Sequence, residues 1–209
     1  VMSRNVYLGA DINRPVVAAA TAQAQGKPPE QVLVALANAN HVTREIVDRT
    51  NFPARAELLA NEIVEARPDF VGLQEVALWR SGPVQLTQVG VANATTVDYD
   101  FLQILLDALA ARGASYAAVN VGLRADVEAP SFTGSPFDGS MGGTVRDVRL
   151  TMRDVILMRA VVSGVVVGMV HFLIPFAAFP LASAMRAVDE RALLAARGMG
   201  ASRARVFAQ

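Results

Sequence analysis

The most constraining feature of this 209-residue chain is a stretch without formal charge, Ala160 to Met185, whose one titratable residue is His171. As a helix rising ~1.5 Å per residue, it would outreach the roughly 30 Å hydrocarbon core of a bilayer. A buried core helix is the alternative, but such helices are rarely so long and so apolar. Pro175 and Pro180 are better tolerated in a membrane span than in a helix surrounded by water. The expectation is a transmembrane helix over 160–187 followed by short cytoplasmic helices over 188–209. Membrane lipid is then an expected partner, and the inner membrane an expected location with the C-terminus cytoplasmic.

The residues before the run differ in kind. Residues 1–159 carry 17 acidic and 14 basic side chains, whereas 160–209 carry two acids and five arginines. Neither part is basic enough to give a strong nucleic-acid signal. With no cysteine, disulfides, thiolate metal sites and a cysteine nucleophile are excluded. Lys27 is the only lysine among the basic residues. With abundant alanine, this suggests a GC-rich bacterial source. "VMSRNVYLGAD" lacks the features of a signal peptide, so this end is expected to be cytoplasmic or to follow an export signal further upstream.

Periodicity outlines a layered α/β (α+β) domain over 1–159. "RNVYLGAD" reads as a short strand ending in a glycine turn, and 30–49 as a helix. In "TNFPARAELLANEIVEARPD", Thr50 or Asn51 can cap, Pro53 suits the first turn, and Pro68 stops the helix. Residues 69–76, "DFVGLQEV", alternate as a strand, with Val71, Leu73 and Glu75 on one face and Phe70, Gly72 and Gln74 on the other. Leu102, Leu105, Leu106 and Leu109 predict a helix over 100–112, stopped at Gly113. A strand over 116–123, an exposed Gly/Ser/Pro-rich loop over 124–144 and two strands joined by a turn over 145–159 complete the reading.

Two stretches, "RNVYLGAD" and "RPDFVGLQEV", resemble the endonuclease/exonuclease/phosphatase superfamily, the deoxyribonuclease-I-like group. "VDYDFLQILLDALAARG" and "LTMRDVILMR" extend the resemblance over most of 1–159. It implies the N-terminal half of a two-sheet sandwich and a site for Mg²⁺ (or Mn²⁺). Asn5 and Glu75 match the family's metal-site positions, which makes them the candidate catalytic and metal-binding residues. The residue chemistry agrees: Mg²⁺ takes carboxylate and carbonyl oxygens, often with only one or two carboxylates, and neutralises charge developing on phosphoryl oxygens. The bland readings are a solvated strand-end glutamate and an asparagine bonded to a turn.

Asp11 reads as a turn residue, His41 as structural, "DGSMGG" (138–143) as flexible, and Asp154 as no ligand. The family's later "GD-x-N" and "S-D-H" motifs are absent from the sequence. Their Asp–His pair activates the attacking water, so metal is expected to bind weakly and catalysis to fail.

The tail "LLAARGMGASRARVF" resembles the membrane permease subunits of bacterial ABC importers of the spermidine, putrescine or ferric iron type. The resemblance implies a coupling loop at 188–209, with Ala195, Ala196, Gly200 and Ala201 docking an ABC ATPase subunit as partner. Leu194 stands where that family usually has glutamate. A basic amphipathic helix lying on a membrane is the plainer alternative. The expected organisation is a hydrolase-like half domain over 1–159 joined near 156–162 to a permease-like fragment over 160–209. The readings are a phosphodiesterase or phosphatase fragment, a transport subunit, or a chimeric chain inactive as it stands.

Overall fold

The computed structural model describes residues 1–160, which lie within one compact unit, Val1–Val161. In chain order the elements are β1 (Met2–Asn5), α1 (Arg14–Ala24), α2 (Pro29–Thr50), α3 (Phe52–Ala66), β2 (Phe70–Gly82), β3 (Thr96–Asp100), α4 (Phe101–Ala110), β4 (Tyr116–Thr133) and β5 (Gly142–Arg159). The five strands form one mixed sheet of order β1-β2-β5-β4, with β3 also paired to β2. β1 runs parallel to β2 along Val71–Gln74, and β3 runs antiparallel to it along Leu78–Ser81. β5 pairs with β2 over Phe70–Gly82, so β1 and β3 share the opposite edge of β2.

Local chemistry sets the helix boundaries. Asn51, at φ +44°, ends α2 and caps α3, its Oδ1 accepting from the Ala54 amide at 3.3 Å. Asp100 caps α4 by accepting from the Leu102 amide at 3.1 Å. The Phe52 and Phe101 rings at the starts of α3 and α4 stack 3.7 Å apart. Around them Ile63, Leu105 and Leu109 pack on Val71, Leu73, Val155 and Leu157 of the sheet. Burying such apolar side chains stabilises by roughly 1.5–3 kcal/mol each.

Several expectations are corrected. The sequence predicts half of a sandwich followed by a membrane helix. The described residues instead form an α/β fold of one mixed sheet and four helices. None of these helices is long and apolar enough to cross a membrane, so among the described residues neither the membrane-anchored fold nor the inner-membrane location has a spanning helix behind it. The stretch 160–187 assigned to the span, and the coupling residues Ala195, Ala196, Gly200 and Ala201, lie outside the described residues apart from Ala160.

Within the domain, α1 and β3 have no counterpart in the sequence reading. The loop expected over 124–144 is largely strand, because β4 continues to Thr133. Pro130 is compatible with this because β4 is an edge strand, where a missing N–H leaves no ladder bond unmade. The turn expected within 145–159 is absent, and β5 runs unbroken through it.

Candidate functional site

Asn5 ends β1, and its register partner on β2 is Gln74, the residue before Glu75. Strict alternation would send Glu75 into the core with Val71 and Leu73. A bulge prevents this: Leu73 pairs with Val155 and Val76 with Arg153, so Gln74 and Glu75 together oppose Asp154. Glu75 takes the left-handed conformation, φ +60°. An L-residue held there costs roughly 1–2 kcal/mol, and the extra residue re-aims the side chain. The half-buried Glu75 carboxylate turns toward β1, where Asn5 Nδ2 donates to Oε1 at 2.7 Å and the Leu8 amide donates to Oε2 at 3.2 Å.

The segment after β1 is fixed around these bonds. Asn5 Oδ1 accepts from the Tyr7 amide at 2.8 Å, closing a tight turn that leaves Tyr7 at φ +55°. The Val6 amide donates to Gln74 O at 3.0 Å, extending the β1–β2 pairing. Arg55 of α3 donates to Val6 O at 2.6 Å and to Tyr7 O at 3.1 Å. Burial away from water pushes the Arg55 guanidinium below its ordinary pKa. Trp79, buried in the core, donates Nε1 to Leu8 O at 3.1 Å. The turn that holds Glu75 is therefore tied to β2 and α3 at both ends.

Asn5 and Glu75 are thus brought together, but Asn5 contacts the carboxylate through its amide N–H, and its oxygen already serves the turn. Among the described residues, no group of three or more His, Cys, Asp or Glu side chains is placed to hold a metal ion. In donor chemistry Glu75 fits Mg²⁺, since two of the roughly four lone-pair positions of a carboxylate are taken by hydrogen bonds here. In number the set is minimal, one carboxylate, so any such ion would keep most of its water.

The other sequence candidates bond to partners other than this pair. His41 faces Glu45 at 3.5 Å and packs against Gly143. Asp11 accepts from the Asn13 amide at 2.9 Å, as a turn residue does. In the glycine-rich loop, Asp138 accepts from the Ser140 amide at 2.9 Å. Asp154, opposite the bulge, is engaged by Arg124 at 2.5 Å. The sequence reading missed Leu8, Tyr7, Arg55 and Trp79. Backbone amides leave no signature in residue type; Arg55 stands within the quoted stretch "TNFPARAELLANEIVEARPD" but nothing there assigns it a role, and Trp79 lies beyond the strand read at 69–76. No protein-family model, curated protein or solved structure matches this chain.

Proposed function

We propose that residues 1–159 are a fragment of a Mg²⁺-dependent phosphodiesterase- or phosphatase-type hydrolase. They would contribute the Asn–Glu part of its site and be inactive on their own. The observation that carries this reading is the 2.7 Å bond from Asn5 Nδ2 to Glu75 Oε1, made across adjacent strand ends by a glutamate held at φ +60°. Backbone strain of that kind concentrates at functional sites, and a solvated strand-end glutamate has no need of it.

In this reading Glu75 offers one hard oxygen ligand, and a divalent cation there would neutralise charge on a phosphoryl group. Asn5 and the Leu8 amide fix the carboxylate in place, and Arg55 and Trp79 hold the turn that carries them. Asn5 is a positioning residue in this arrangement. No histidine or carboxylate partner of Glu75 is present among the described residues to take a proton from water. General-base catalysis typically supplies a factor of ~10²–10⁴, so turnover should be negligible.

The test combines Mn²⁺ binding, followed by electron paramagnetic resonance, with hydrolysis of a simple phosphodiester. The expected result is weak Mn²⁺ binding that Glu75→Gln removes, with hydrolysis at background. Equal Mn²⁺ binding by the variant would remove the metal from the reading. Turnover abolished by Glu75→Gln would show the site to be complete.

A further inference from the structure

β4 ends the sheet, and among the described residues only β5 is bonded to it. Its outer edge is treated differently along its length. At the far end α2 lies along it: Asn40 Nδ2 donates to Ala129 O and Pro130 O, both at 3.0 Å, and Asn38 Nδ2 donates to Gly134 O at 2.9 Å. Those carbonyls are satisfied, and Pro130 has no N–H to offer. At the near end no such cover exists among the described residues. Five successive residues, 117–121, are exposed, which for a strand means exposure on both faces. Val119, Val121 and Leu123 are 51%, 49% and 65% exposed, and Arg124 is the only charge between Tyr116 and Ala125. Natural edge strands are normally blunted by charges, proline or a covering element. Here the proline and the covering helix both sit at the end that needs no further protection.

We propose that two copies of this chain join through this open edge, β4 against β4, antiparallel about a two-fold axis at Val121. The choice of a second copy rests on the sequence of the edge. Facing residues in an antiparallel pair project to the same face, so a symmetric pairing must centre on a residue that meets its own counterpart. The stretch "AAVNVGLRA" is close to a palindrome in side-chain character about Val121. Centred there, Val121 meets Val121, Val119 meets Leu123, Asn120 meets Gly122 and Ala117 meets Ala125, with Ala118 opposite Arg124 as the one pair that places a charge against an apolar residue. Centring on Asn120 leaves Leu123 opposite Ala117, and centring on Gly122 leaves Val119 opposite Ala125. The bulges of β4 fall between Ala118 and Asn120 and between Leu123 and Ala125. The regular pairing of Asn120–Leu123 therefore straddles the proposed axis. The contact is isologous and closed, and it joins two sheets into one while removing an exposed apolar edge from each copy.

The natural chain has no cysteine, so Val121→Cys in the full chain introduces a sole thiol. Facing Cα atoms in an antiparallel pair lie ≈4.5 or ≈5.5 Å apart, within the ≈4.4–6.8 Å span of a disulfide. Mild oxidation should give a disulfide-linked dimer, whereas Val17→Cys, at an exposed position on α1, should remain largely without a cross-link. In sedimentation the natural chain should run as a dimer, and Val121→Lys as a monomer with an unchanged circular dichroism spectrum. Three results would overturn the proposal. A monomeric natural chain, with the thiol of Val121→Cys reacting freely with a thiol reagent, would show an unused edge. A monomer in which the thiol of Val121→Cys is protected would show the edge covered by residues 161–209. Cross-linking no faster at position 121 than at position 17 would show contact without this register.

Discussion

Asn5 and Glu75, seventy positions apart in sequence, are joined by a 2.7 Å hydrogen bond from the asparagine amide to the glutamate carboxylate. Asn5 makes a second bond, accepting from the Tyr7 amide at 2.8 Å, so it serves both the turn and the carboxylate. Replacing it removes two bonds, each worth roughly 0.5–1.5 kcal/mol net.

Asn5→Ala is therefore expected to lower stability by about 1–3 kcal/mol in a urea titration and to weaken Mn²⁺ binding alongside. A variant as stable as the natural chain would mean that the turn is held without Asn5, by Arg55 and Trp79 alone.

The left-handed conformation of Glu75 gives a sharper comparison. Glu75→Gly and Glu75→Ala both remove the carboxylate, but only glycine adopts φ +60° without strain. The glycine variant should be the more stable of the two by about 1 kcal/mol. The reverse order would show that the bulge relaxes when the side chain is lost.

The boundaries of α3 and α4 are legible in the sequence because they are local, whereas α1 is not read at all. Asn51, Pro53 and Pro68 bracket α3, and the leucine spacing with Gly113 brackets α4. The core strand segment was legible too, since Val71 and Leu73 alternate as a half-buried strand should. Legibility stops at Glu75. Period-two reading cannot detect a bulge, because the extra residue is defined by its partner strand, and the register against Asp154 is not written near Glu75. The long β4 was hidden for a similar reason. Residues 124–133 include alanine, proline and charged residues that read as loop, and only pairing with β5 and cover from α2 make them strand. The apolar run after Arg159 pulled the reading toward a membrane, yet no described helix has that character.

The covered end of β4 can be tested through Asn40, a buried residue whose amide bonds two carbonyls. Asn40→Leu keeps the side-chain branching, though it is bulkier, and leaves the carbonyls of Ala129 and Pro130 without that donor. A loss of about 1–3 kcal/mol is expected, with faster amide hydrogen exchange at the end of β4. Unchanged exchange there would show that α2 does not secure the edge.

The last prediction concerns pH. Asp126 accepts from Arg149 at 2.5 Å and from the Thr151 hydroxyl at 2.8 Å. The Arg149 hydrogen bond is the main cause that holds its carboxyl below the ordinary aspartate range, against the opposing effect of burial. Asp147 on β5 is in the opposite condition. Burial pushes its carboxyl above the ordinary range, although the Gln85 amide donates to it. A group whose pKa is depressed by folding contributes stability that is present above its unfolded value, about 3.9 for aspartate. That contribution is lost as pH falls through the lower folded value. A group whose pKa is raised contributes stability below its unfolded value, lost as pH rises through the folded one. Acidification below about pH 4 should therefore cost the natural chain the contribution of Asp126. Asp126→Asn, which lacks that titration, should show a flatter acid limb while being less stable at neutral pH. Asp147→Asn should behave in the opposite sense, removing a penalty that the natural chain carries at neutral pH, provided the amide keeps the bond to Gln85. Urea titrations of the three proteins across the acid range measure both slopes. Parallel curves for the natural chain and Asp126→Asn would show that the bonds to Arg149 and Thr151 do not distinguish the folded from the unfolded carboxyl.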